Sequence, residues 1–167
     1  FGAALPETKI GNVEVLDARD QIWSSVIPED DPMITQAQSR LLPLEEPRSV
    51  EMPGRAAIFV NLTHDPDRTA FERLVCDSTD KFATASEISV LGSDRIDPRE
   101  AGRLSAAIAK QIKQLAAASG RAELHLAFHG PFPMAILIGR HLNTLRTVIY
   151  EWETSGAGSS NYSPALI

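Results

Sequence analysis

Residues 123 to 152 hold the pattern that most restricts the fold. Leu124, Leu126 and Phe128 alternate with Glu123, His125 and Ala127, the period of two that gives a strand one apolar face. Gly130 and Pro131 break that strand, and Pro133 stands in the first turn of a helix, where its missing N–H costs nothing. Met134, Ile136, Leu137, Ile138 and Leu142 make the helix over 133–143 apolar nearly all round, which predicts burial. After Asn143, the β-branched and aromatic run Thr147 to Glu151 reads as a second strand. A strand, a sharp turn, a helix and a strand within about thirty residues form a βαβ unit. Such units carry ligands at the carboxyl ends of their strands.

The chain upstream repeats this alternation. Ala56 to Leu62 is a continuous apolar run, as expected of a strand covered on both faces. It ends in Thr63, His64, Asp65 and Pro66, with Asp65 placed to cap a helix and Pro66 at its first position. Phe71, Leu74 and Val75 supply that helix's inner stripe, with Cys76 expected buried beside it. Glu87 to Leu91 reads as a short strand stopped by Gly92. Asp97, Pro98, Arg99 and Glu100 form a capping-box pattern. The helix they open carries Ala101, Leu104, Ile108, Ile112 and Leu115 and stops at Gly120. From residue 56 the order is β-α-β-α-β-α-β. The predicted class is α/β: a Rossmann-like, mostly parallel sheet flanked by helices, with an irregular N-terminal extension. Right-handed crossovers put the strand ends on one edge.

The first 55 residues are less legible. Lys9 to Ala18 and Gln21 to Ile27 read as two strands, the second carrying Trp23 and Val26. Pro28, Pro32, Pro43, Pro47 and Pro53, with acidic clusters at 29–31 and 45–46, mark an irregular connection holding a helical turn around 34–42. The tail from Thr154 to Ser163 is small and polar and reads as a mobile lid over the same edge. The division expected is therefore 1–55, strands and connection, and 56–167, an α/β core with its tail. The chain opens at Phe1 rather than Met, which suggests a piece of a longer protein.

Composition narrows the function classes. A hydrophobic fraction of 43% is that of a soluble globular domain, and no apolar run reaches the length of a membrane span. The single Cys76 excludes an internal disulfide and fits a reducing cytosol. A net charge of −6 argues against a broad duplex-DNA surface, though not against a small anionic ligand. No catalytic constellation assembles. Of His64, His125, His129 and His141, the pairs 125/129 and 129/141 fall across a strand and turn rather than on one helix, so neither is the helical pair of zinc sites, and no nucleophile elbow, dinucleotide fingerprint or phosphate loop is present. A binding reading fares better. The N–H groups at the start of the 133–143 helix favour phosphate. Gly130 permits close approach, while Pro131 and Pro133 stiffen the turn. Phe132, Trp152, Tyr162 and Trp23 can stack on bases, Arg140 can neutralise a phosphate, and His64 and His129 can donate to a nucleobase or phosphate. Each also has an ordinary reading, as a tight connection, core packing, a solvated arginine or a turn histidine, and the residues alone leave both open.

The run from Glu123 to Asn143, followed by Val148 to Glu153, resembles the closing half of SAVED domains, in which a His-Leu-Phe-type strand, a small-Pro turn, an Ala-and-Gly helix and a Tyr-Glu strand recur. Ile58 to Asp65 and the helix around Ile108 to Ile112 fit the same pattern, so the resemblance covers about residues 56 to 153. It implies a CARF-like fold and a sensor of cyclic di- or trinucleotides in bacterial anti-phage defence, cytoplasmic, without cofactor or metal and not itself an enzyme. Ligand-induced oligomerisation would then activate a fused effector, a DNA endonuclease of the HNH-fused subgroup. Carried onto this chain, the pocket would be lined by Asn61, Leu62, Thr63 and His64, by Phe128, His129, Gly130, Pro131, Phe132 and Pro133, and by Tyr150, Glu151, Trp152 and Tyr162. An enzyme that cleaves the messenger, using His64, His129 and Arg140, is one alternative. A protein-interaction module with a vestigial pocket is another.

Overall fold

The computed structural model describes residues 10–27, 54–63, 68–77, 82–90, 95–120, 123–154 and 160–165. A short hairpin comes first, β1 (Glu14–Leu16) and β2 (Ile22–Ser24), paired antiparallel apart from the main sheet. Its turn is held by Asp17, whose carboxylate accepts from the N–H groups of Arg19 and Gln21, and Asp20 adopts the left-handed conformation tolerated by Asp. The main elements are β3 (Arg55–Asn61), α1 (Thr69–Asp77), β4 (Phe82–Ser89), a 3-10 turn (Pro98–Glu100) leading into α2 (Ala101–Ala118), β5 (Leu124–His129), α3 (Phe132–Gly139), β6 (Thr147–Thr154) and β7 (Ser160–Pro164).

The five-stranded sheet runs β4-β3-β5-β6-β7, parallel throughout except for the antiparallel β6–β7 pair. Residues 56–61 of β3 are all buried because helices cover both faces, which is why its run lacks alternation. Ala56, Ile58, Val60 and Leu62 join Leu124 and Leu126 of β5 under α2 and α3. Leu104, Ile108, Ile112 and Leu115 form the inner stripe of α2, each worth about 2 kcal/mol of burial. Trp23 belongs to this core, so the hairpin is packed onto the α2 side. At Gly102 an added Cβ would lie 2.6 Å from the Val26 carbonyl oxygen, so only glycine lets the segment after β2 lie this close to α2. The opposite face is smaller: Ala57, Phe59, Ala127, Tyr150 and Tyr162 pack against Ala70 and Phe71 of α1.

Several expectations change. The N-terminal strands are three residues each, shorter than the sequence suggested, and β4 begins at Phe82, ahead of the expected Glu87. Cys76 is exposed, because it falls one step off the stripe that buries Phe71. The tail is not a lid over 160–164: those residues form β7, where backbone pairing with β6 supplies the order that their polar side chains do not suggest. Asp97 caps the 3-10 turn rather than the α-helix, accepting from Arg99 N–H at 2.9 Å. The helical turn around 34–42, Asp65, Pro66 and the strand end at Leu91 lie outside the described residues.

Candidate functional site

The chain leaves β3 towards β4 on one side and leaves β5 towards β6 on the other. Adjacent parallel strands whose connections diverge leave a crevice at their carboxyl ends. Here that crevice falls between Asn61 and His129, which are in register. The ladder continues one step further, with Leu62 N–H donating to the His129 carbonyl at 2.7 Å.

On the α1 side of the sheet, the side chains at this level form a row across four strands. Asn61 Oδ1 accepts from Thr63 N–H at 3.2 Å and from the Thr63 hydroxyl at 3.0 Å, and Thr63 Oγ1 lies 3.3 Å from His129 Nδ1. The His129 ring stacks on Trp152, centroids 5.2 Å apart and planes 12° from parallel. Trp152 meets Tyr162 edge to face at 5.3 Å, and these two are also backbone partners. Tyr162 is 8% exposed, and its buried hydroxyl has no hydrogen-bond partner among the described residues. Burial pushes its phenol well above the ordinary tyrosine value. A buried donor left unpaired costs about 1–3 kcal/mol, so this row carries polar capacity that the fold does not use.

Behind Asn61 stands a pair that sequence reasoning missed. Asn61 Nδ2 donates to Glu87 Oε1 at 3.4 Å, and Glu87 Oε2 pairs with Arg68 Nε at 2.8 Å. The available signal was Glu87 itself, the one charge in a strand of small and apolar residues.

The other expected site residues divide. Leu62 and Phe128 lie at the crevice but turn into the α2–α3 core, Pro133 is buried in the first turn of α3, and a Cβ added at Gly130 would press on Leu62 and Phe128. Pro131 is half-buried and Phe132 is 69% exposed, at the start of α3. Pro133 has no N–H and Met134 N–H donates to the Pro131 carbonyl, so this helix start offers fewer donors to a phosphate than the sequence implied. Glu151 is exposed on β6. Three residues lie apart from the row. Tyr150 is buried one step back, its hydroxyl 2.9 Å from Nδ1 of the buried His125. Arg140 neither faces solvent nor meets the row: it is 3% exposed and donates to the carbonyls of Ile10 and Gly11. Trp23 is core, its indole N–H bonded to Asp17 Oδ2 at 3.0 Å. His64 lies outside the described residues.

Among the described residues no cluster of His, Cys, Asp or Glu is arranged to hold a metal, and no helix is long and apolar enough to cross a membrane. A groove of about 390 Å³ between α2 and His141, lined in part by Lys110, Lys113 and Gln114, shares no residue with the row.

The family model for the SMODS-associated and fused to various effectors sensor domain, SAVED, matches residues 1–167. The chain belongs to the SAVED family. Among solved structures, this SAVED domain is similar to the Cap4 SAVED/CARF-domain containing receptor of Acinetobacter baumannii. With the cyclic trinucleotide 2'3'3'-cAAA, that receptor matches at TM-score 0.65 and 17% identity, over 98% of this chain and 33% of the receptor. With 3'3'3'-cAAA the values are 0.60 and 14%, over 98% and 33%, and for the receptor described without a ligand 0.58 and 16%, over 98% and 31%. The SAVED chain thus spans about a third of the receptors it resembles. No curated protein matches it.

Proposed function

We propose that this SAVED domain binds a cyclic oligonucleotide, a di- or trinucleotide, in the crevice between the ends of β3 and β5, with His129, Trp152 and Tyr162 as its stacking and hydrogen-bonding wall. The observation that carries the reading is the row itself: aromatic faces beside an unpartnered buried hydroxyl, at the edge where parallel sheets hold ligands. Asn61, Thr63 and Gly130 to Phe132 frame the opening, and His64 follows directly in the chain. Membership of a family described as a sensor fused to effectors supports a role in signalling rather than catalysis. The A. baumannii receptor's cyclic trinucleotides favour a ring of three. Binding that favours an assembled state would raise the population of oligomers by linkage and switch on a fused effector, a DNA endonuclease in antiviral defence.

A thermal-shift screen against cyclic di- and trinucleotides of mixed linkage, with linear controls, tests this. Stabilisation by a cyclic species, lost in Trp152→Ala, is expected. A flat response to the whole panel overturns the proposal.

A further inference from the structure

The protons around His129 can be followed outward from the backbone. Thr63 N–H can only donate, so the Asn61 atom that it meets at 3.2 Å is the amide oxygen, Oδ1. Glu87 fixes the same orientation from the other side, since a carboxylate can only accept and therefore faces Asn61 Nδ2. Oδ1 also lies 3.0 Å from Thr63 Oγ1, and two oxygens at that distance need a proton between them. The amide oxygen has none, so the Thr63 hydroxyl gives its single hydrogen to Asn61. What Thr63 then turns to His129 Nδ1, 3.3 Å away, is a lone pair. Nδ1 must carry the hydrogen.

We infer that neutral His129 is held as the Nδ1–H tautomer by the chain Arg68–Glu87–Asn61–Thr63, so that Nε2 is an acceptor that reads a hydrogen-bond donor of the ligand and not a phosphate oxygen. The inference rests on the binding reading above and assigns a chemical preference within it. Nε2 has no partner among the described residues, since the ring's contacts are Thr63 and the face of Trp152. A lone pair turned to an anionic oxygen repels it, whereas an exocyclic amino group of a base or a ribose hydroxyl satisfies it. Asn61 at the end of β3, Thr63 just beyond it and Trp152 on β6 bring no charge to the ring. Among the described residues, the titratable groups on this face of the sheet include Tyr162, Tyr150 beside His125, the paired Glu87 and Arg68, Glu72 and Arg73 of α1, and Arg55 and Glu123 towards the far edge. Arg68, Glu87, Asn61 and Thr63 are positioning residues: they act on the ligand through His129.

Two measurements decide it. In the ligand-free chain, nitrogen-15 spectra of the imidazole read the tautomer directly. The wild type is expected to show Nδ1–H, and Thr63→Val, which removes the lone pair, to shift the population towards Nε2–H. A wild type that is mainly Nε2–H overturns the inference whether or not any nucleotide binds. A flat ligand screen with Nδ1–H intact would instead overturn the binding reading alone. With cyclic triadenylate as probe, affinity is expected to fall as pH drops through the imidazole titration followed in the same spectra, by up to about tenfold per pH unit. His129→Gln should remove that slope. Affinity that rises as His129 protonates marks a phosphate contact and overturns the donor reading. Replacing adenine by hypoxanthine separates the two donor sources: lost affinity points to the amino group, retained affinity to a hydroxyl.

Discussion

The imidazole of His129 lies flat on the indole of Trp152, with 5.2 Å between centroids. Each ring fixes the other just past the end of the β5–β6 ladder, whose last register pair is Ala127 with Tyr150. Trp152→Ala removes a half-buried ring that also supports Tyr162, and is expected to cost about 2 kcal/mol in urea unfolding. His129→Ala should cost less. The double variant should fall short of the sum by about 1 kcal/mol, the coupling of a stacked pair. Strict additivity in that cycle would mean that the stack contributes nothing.

Tyr162→Phe deletes a buried hydroxyl that lacks a partner among the described residues, at almost no change in shape. The ligand-free protein should become more stable by about 1 kcal/mol. Its phenol is raised by burial, so the stability it allows is complete below the ordinary tyrosine value and is lost as pH climbs from about 10 towards the raised one. Alkaline unfolding followed by circular dichroism should therefore begin later in Tyr162→Phe. Identical alkaline profiles would show that the phenol ionises freely in the fold.

Arg140→Ala breaks charge-assisted bonds from a buried guanidinium to the carbonyls of Ile10 and Gly11. About 3 kcal/mol of stability should be lost. Nucleotide affinity, measured by calorimetry below the melting range, should be unchanged. Weakened affinity at full folding would return Arg140 to the pocket.

Gly102→Ala sets two effects against each other. Alanine favours a helix by about 1 kcal/mol over glycine. Its Cβ would, however, stand 2.6 Å from the Val26 oxygen and 2.9 Å from the Ser25 oxygen, both backbone atoms that cannot rotate away. The clash should win by about 1–2 kcal/mol and loosen the hairpin. Fluorescence of Trp23, buried beneath it, would report the change. A variant more stable than the wild type would show that the segment yields easily.

How far the sequence could be read depended on whether a residue's fate was local. The unit from Leu124 to Glu151 announced itself, because a strand with one apolar face carries its own period and a continuous apolar run after the Gly130–Pro131 break marks a buried helix. The parallel order of the strands followed, and with it the meeting of Asn61 and His129 at one edge. Three features did not follow, each decided at long range. Ser160 to Pro164 has one inward ring, Tyr162, and becomes a strand only because β6 offers an unpaired edge. Arg140 is buried by carbonyls more than a hundred positions earlier in the chain, which no periodicity records. Trp23 could be read as a stacking ring or as core, and only the packing of its hairpin on α2 decides for core.

The row from Asn61 to Tyr162 draws one side chain from each of four neighbouring strands. Such contacts between distant stretches of chain are the slowest to form and cannot be made piecemeal. A partly assembled sheet would hold isolated rings and no row, so the surface proposed for the ligand exists only once all four strands are in place.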